Sequence, residues 1–241
     1  MSRAQPQSGG QASGDRRRTA PREPRVRSMF DAIVPRYDLV NDLLSMGMDR
    51  AWRRAAISSL RAEIGAPVLD LGCGTGRLAD RAGAAGHRVV CLDVSAAMLA
   101  EAARRGVPRL VQGSVFRLPF RDASFGGALS GFVLRNLDDL PAAFGELARV
   151  VLSGAGISIV DITEPPDPLR RRLFDAYFRT AAPIYGRLAG QGDAYRYLVR
   201  SLAHLPPPAA IGGMLRDAGF TAVRWRVMQP GMVTLWTARR A

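Results

Sequence analysis

Between Pro67 and Ile162, short apolar runs alternate with amphipathic stretches. Pro67–Leu71, Arg88–Asp93, Leu110–Gly113, Gly126–Phe132 and Gly156–Ile162 have the length and apolar content of buried strands. Arg77–Ala85, Ala96–Arg105 and Asp139–Leu152 repeat apolar residues at steps of three and four, which predicts helices. This alternation predicts a parallel sheet covered on both faces. Ser95 is placed to cap the helix that begins at Ala96. Upstream, from Val26 to Ile64, the residues Phe30, Ile33, Val34, Tyr37, Val40, Leu43 and Leu44 predict a helix that Pro35 interrupts. Asp49 reads as the N-cap of a second helix reaching about Ala62, with Trp52, Ala56, Ile57 and Leu60 on one face. Past Ile162 the rhythm breaks. Phe174, Tyr177, Phe178, Ile184, Tyr185 and Leu188, then Tyr195, Tyr197, Leu198 and Leu202, predict two amphipathic helices that Pro206-Pro207-Pro208 ends. A helix at Ala209–Ala218 and two β-rich runs, Val223–Val227 and Met232–Thr237, follow. Gly231 turns between those runs.

Composition narrows this picture. A chain of 241 residues with 47% hydrophobic content fits one α/β domain with a decorated edge. No apolar run approaches the roughly 20 residues of a spanning helix. Polar sequence follows Met1 without an apolar h-region, so no secretory leader is expected. Cys73 and Cys91 are the two cysteines, which makes a disulfide framework improbable and a cytoplasmic setting the expectation. The net charge is +13, and every basic residue is arginine. That charge favours acidic surfaces, either nucleic acid or anionic lipid. Residues 1–24, rich in Ser, Gln, Gly and Pro with Arg16-Arg17-Arg18, read as a disordered basic arm. The arm has little aromatic interleaving and no RNA-binding motif is found, so nucleic acid is not expected as a partner.

The chemistry begins at Val68-Leu69-Asp70-Leu71-Gly72-Cys73-Gly74-Thr75-Gly76. A strand runs into a turn of three glycines, where the backbone approaches a ligand that any Cβ would block. Asp93 ends the next apolar run and is placed to accept the hydroxyls of a ribose. Together they predict a nucleotide-type ligand across the carboxyl ends of two adjacent parallel strands. The spacing is Gly-x-Gly-x-Gly rather than the dinucleotide Gly-x-Gly-x-x-Gly.

That motif resembles motif I of the class I S-adenosylmethionine-dependent methyltransferases. Further segments resemble the ubiquinone/menaquinone biosynthesis C-methyltransferases of the UbiE/MenG type. They are Phe30-Asp31 through Tyr37-Asp38, Asn41-Asp42, Ser45 and Gly47, then Trp52-Arg53-Arg54, Leu118-Pro119-Phe120 with Asp122 and Phe125, Phe132-Val133-Leu134-Arg135-Asn136, Asp193-Ala194-Tyr195-Arg196-Tyr197-Leu198, and the tail at Ala218-Gly219-Phe220 and Gly231-Met232-Val233. The likeness runs from about Val26 to Thr237. It implies a Rossmann-like α/β fold with a doubly wound, mostly parallel seven-stranded sheet. It also implies one methyltransferase domain over 25–241, with a helical lid at 25–64 and a substrate-side helical insertion at 164–208.

The implied donor is S-adenosyl-L-methionine, held by Asp70, Gly72, Gly74, Thr75, Gly76, Asp93, Ser114, Val115 and Gly131. The implied acceptor is a prenylated quinol, demethylmenaquinol or the ubiquinone-pathway benzoquinol. Arg135, Asn136 and Tyr37 are the implied catalytic residues. Asn41, Asp42, Tyr177, Tyr195 and Tyr197 are the implied substrate contacts. Arginine stays protonated, so Arg135 would stabilise a phenolate while water relays its proton. His204 is the alternative base, although its aliphatic neighbours suggest a packed or surface position. No metal is implied. Peripheral contact with an anionic membrane and a homodimer are left open. The chain departs from the family pattern at Arg77 (usually an acid), Ser114-Val115 (Asn-Ala), Gly131 (Ser) and Asp49 (His). Those departures leave open a secondary-metabolite methyltransferase on the same scaffold.

Overall fold

The computed structural model describes residues 22–63, 65–165, 167–188 and 205–241. Its elements are helix α1 (Arg22–Leu44), α2 (Asp49–Ser59), strand β1 (Val68–Leu71), α3 (Arg77–Ala84), β2 (Val89–Asp93), α4 (Ala96–Arg104), β3 (Leu110–Gln112), β4 (Phe125–Gly131), a 3-10 turn at Leu134–Asn136, α5 (Leu140–Val150), β5 (Val151–Ile162), α6 (Pro168–Leu188), α7 (Pro208–Asp217), β6 (Phe220–Met228) and β7 (Val233–Arg240).

Seven strands form one sheet in the order β3-β2-β1-β4-β5-β7-β6. β1 through β5 pair in parallel, and β7 is antiparallel to both β5 and β6. Strand order reverses between β1 and β4, where an open α/β sheet leaves a crevice for ligands. Leu69, Leu71, Phe144, Leu147, Ile211, Leu215 and Trp236 fill the core under α5 and α7. Val68, Leu78, Ala82, Leu99 and Ala102 fill the opposite face under α3 and α4. Small residues let the chain pass close to the sheet ahead of β1. A Cβ on Gly156 would lie 2.6 Å from the Arg61 carbonyl, and one on Gly126 would lie 2.4 Å from the Ala66 Cβ.

Four sequence expectations change. α1 continues through position 35 as one helix, because packing on neighbouring elements outweighs the hydrogen bond that proline removes. Asp49 is the first helical residue of α2 and Met48 is its N-cap. The Asp49 carboxylate is bound by Arg53 instead of the helix amides. α2 also stops at Ser59, where the chain turns extended at Leu60. α5 yields to β5 at Val151, whose pairing with Phe125 begins the strand early. The cap at Ser95 is present, its hydroxyl accepting the Met98 amide at 3.1 Å. The expected helix carrying Tyr195 and Tyr197, and His204, lie outside the described residues. Cys73 and Cys91 are free and buried.

Candidate active site

The β1–α3 turn carries Gly72, Gly74 and Gly76, all at positive φ. A Cβ on Gly72 would stand 2.5 Å from the Val133 side chain, and one on Gly76 would stand 2.8 Å from that of Val107. Nothing lies within 4 Å of a Cβ on Gly74, which lines the open crevice. Asp93 closes the turn, its carboxylate accepting the amides of Gly74 (2.8 Å) and Ser95 (2.9 Å).

Two cavities meet at this edge. The larger, about 780 Å³, is lined by the glycine turn, Asp93, Val94, Val115, Phe116, Gly131, Asn136, Phe30 and Arg77. The smaller, about 480 Å³, is lined by Asn41, Leu44, Asp49, Trp52, Arg135, Ile162, Phe178 and Met232. Tyr37, Arg53 and Phe132 belong to both linings. Phe132 holds φ at 67°, an uncommon conformation for a bulky residue and one that concentrates at functional positions. The guanidinium carbons of Arg53 and Arg135 lie 5.0 and 5.9 Å from its ring centre.

Arg135 is buried and donates to Asp161 at 2.6 Å, while its Nε has no partner. Burial pushes the Tyr37 phenol above its ordinary value, against the opposing pull of Arg135, Asn41 and Arg53. Asp70 is fully buried within β1, and neither of its oxygens has a hydrogen bond of normal geometry. Burial raises its carboxyl to about 7, despite Arg53 and a weak pull from the Ala79 amide.

α1 lies across the larger cavity on a row of carboxylates. Glu23 accepts from Ser114 (2.6 Å), Asp31 from Ser95 (2.5 Å), Asp38 from Thr75 (2.9 Å) and Asp42 from Arg77 (2.6 Å). Asp38 also pairs with Arg105. Ser114 thus meets α1, next to the lining residue Val115. Asp42 meets Arg77 and lines neither cavity. Tyr177 likewise lines neither, its hydroxyl donating to the Leu44 carbonyl at 2.9 Å. Tyr195 and Tyr197 are outside the described residues. The other expected residues converge on the two cavities, with Asp70 behind the glycine turn and Gly76 packed under it.

Of the shared wall, only Tyr37 has a role assigned from sequence. Phe132 and Arg53 stand inside family-like segments without an assigned role, and Asp49, which clamps Arg53, is read as a helix cap. An arginine four residues after an aspartate, one helical turn away, was the available signal. Among the described residues, no group of side chains could hold a metal ion.

The cradle fits an adenosyl amino acid, with an open glycine at its centre, an acid for the ribose and an apolar slot at Val94, Val115 and Phe116. The ubiE/COQ5 methyltransferase family profile matches residues 18–240. The demethylmenaquinone methyltransferase of Mycolicibacterium paratuberculosis is 39% identical over 216 residues, covering 89% of this chain and 94% of that protein. The one from Beutenbergia cavernae is 38% identical over 218 residues, covering 89% and 90%. Among solved structures, a SAM-dependent methyltransferase from Thermotoga maritima described as a possible histamine N-methyltransferase superposes with TM-score 0.65. Its identity is 18%, over 89% of this chain and 99% of that one. A Haemonchus contortus phosphoethanolamine N-methyltransferase bound to S-adenosylhomocysteine gives TM-score 0.64 at 13% identity, over 89% and 59%.

Proposed function

Because this chain belongs to the ubiE/COQ5 methyltransferase family and is an S-adenosylmethionine-dependent methyltransferase, we propose that it methylates a ring carbon of demethylmenaquinol in menaquinone biosynthesis. The observation that carries this reading is the pair of cavities sharing one wall. The larger cavity, on the glycine turn, takes the donor. The smaller, mostly apolar cavity takes the quinol ring.

In the proposed reaction the quinol loses a phenolic proton and its ring carbon attacks the donor's methyl in line. The carbon–sulfur bond breaks as the carbon–carbon bond forms, and the ring carbon then releases its proton to restore aromaticity. The chain's part is to align the partners and stabilise charge, and alignment alone lowers such barriers by several kcal/mol. Arg135, which lines the smaller cavity, stabilises the phenolate by its fixed positive charge, while water removes the proton. Tyr37 stays protonated at neutral pH and donates at the junction. Asn136, on the donor side, orients the leaving proton's water. Asn41 lines the acceptor side. Glycines, Thr75 and Asp93 hold the donor, with α1 and α2 as its lid.

A polyprenyl acceptor resides in lipid, so the same reading puts the chain at the membrane surface. Among the described residues no helix is long and apolar enough to cross a membrane. Leu39 and Leu43 on α1, Met46 in the turn that follows it, and Leu169 and Leu173 on α6 are exposed and support peripheral contact.

The test is incubation with methyl-labelled S-adenosylmethionine and chemically reduced demethylmenaquinone, followed by mass analysis of the lipid fraction. The expected product carries the label and is heavier by one CH₂ group. A quinone fraction that stays unlabelled, while another acceptor takes the label, would sink this reading.

A further inference from the structure

The donor's methionine end is a zwitterion, and its carboxylate leaves water on entering the crevice. A buried anion is tolerated when a cation pairs with it. Two cations line the larger cavity, Arg77 and Arg53. Arg77 is already engaged by Asp42 at 2.6 Å, Asp49 at 3.4 Å and Asp38 at 3.9 Å.

Arg53 is held differently. Its Nε donates to both oxygens of Asp49, at 2.9 and 3.0 Å. Its two terminal nitrogens carry no hydrogen bond among the described residues, and its side chain is 8% exposed. The ring of Phe132 packs beneath it. A Cβ at Gly131 would lie 3.2 Å from Nη1, so the glycine leaves open the space in front of that nitrogen. Gly131 ends β4 and lines the donor cavity beside Gly72. Arg53 is also the cation that most opposes the raised proton affinity of Asp70, within β1.

We propose that Arg53 binds the carboxylate of S-adenosylmethionine through its terminal nitrogens, with Asp49 as the positioning residue that fixes the fork and Gly131 as the gap that admits the ligand. A planar guanidinium clamped at Nε presents Nη1 and Nη2 as the bidentate edge that a carboxylate matches. The assignment rests on the donor and is independent of the acceptor named above.

The experiment is calorimetric binding of a matched pair, S-adenosylmethionine and its decarboxylated analogue, to wild type, Arg53→Met, Arg53→Lys and Gly131→Ala. Wild type should prefer the carboxylated ligand by about 10- to 100-fold, the scale of charge-assisted bonds in a site shielded from water. Arg53→Met should erase that preference and keep the analogue's affinity within about threefold, which also shows that the variant is folded. Arg53→Lys should retain part of the preference, and Gly131→Ala should lose a smaller part. Equal weakening of both ligands in Arg53→Met would make Arg53 structural and overturn the proposal. Unchanged affinity for S-adenosylmethionine would turn the cation toward the acceptor and overturn it as well. A wild type that binds neither ligand would remove the donor assignment along with it.

Discussion

Asp70 lies within β1 in a fully buried position, and burial raises its carboxyl from 3.8 to about 7. The folded chain therefore holds a proton that the unfolded chain has already released between those values. The contribution of this group to stability is full below the unfolded value and is lost as pH rises through about 7, a change of roughly 4 kcal/mol. Asp70→Asn should flatten the decline, so that urea midpoints at pH 5 and pH 8 differ less than in wild type. Asp93 is raised by burial in the same direction, which leaves some residual slope. An unchanged slope in Asp70→Asn would assign the pH dependence elsewhere. At Arg135 the expectation concerns rate. Arg135→Ala should lower kcat by about 10²-fold or more and move the pH–rate curve to higher pH, with donor affinity hardly changed. Weakened donor binding at a normal rate would contradict the phenolate role. Sequence alone placed the glycine turn, Asp93 and Arg135, because each follows a strand whose apolar run is readable. It could not show that Asp161 pairs with Arg135 or that Phe132 adopts a positive φ, since both depend on β5 lying beside β4.

At the scale of elements, α1 illustrates what a pattern reveals and what it hides. Its apolar positions were legible at helical spacing. On sequence Glu23 falls in the disordered arm, Asp31 and Asp38 are motif letters and Asp42 is a substrate contact, yet Glu23 is helical and the four meet Ser114, Ser95, Thr75 and Arg77 on other elements. A one-dimensional pattern cannot name a partner that arrives from another strand end. Arg77 and Asp49 make the point together. From α3 and α2, elements far apart in the chain's pattern, they form an ion pair at 3.4 Å. Arg77 also anchors α1 through Asp42. Arg77→Asp should therefore loosen α1 selectively. Hydrogen exchange of amides in residues 22–44 should accelerate about 10-fold or more, as expected for roughly 1.4 kcal/mol of lost anchoring, while β1 and β4 stay protected. Uniform acceleration across the sheet would instead make Arg77 a general stability residue.

The whole molecule carries +13 charges, and part of that excess lies at Arg3 and Arg16-Arg17-Arg18, before the first described helix. Deleting residues 2–21 keeps Glu23 and its bond to Ser114. The deletion should lower retention on anionic vesicles at low salt, where each surface arginine contributes about 1 kcal/mol, and leave the melting temperature in place. Equal retention would shift the membrane contact to the exposed leucines of α1 and α6. The strand order depends on pairings between distant segments, but the fold class was largely legible, since strand–helix alternation implies a parallel sheet and the terminal β-rich runs a hairpin. The partition into two cavities was not, because it arises where α1, α2 and β4 meet. That meeting also sets a sequence of events. The helix that lies over the donor crevice through Thr75, Ser95 and Ser114 is the one that contributes Tyr37 and Asn41 to the acceptor cavity. A chain whose α1 has lifted to admit the donor has an incomplete acceptor cavity. Turnover should then follow a compulsory order, donor first and quinol second, with S-adenosylhomocysteine leaving last. Product-inhibition kinetics would read this as S-adenosylhomocysteine competing with the donor but not with the quinol, and the methylated quinol competing with neither. Competition between the two quinols would mean that the acceptor cavity forms without its lid.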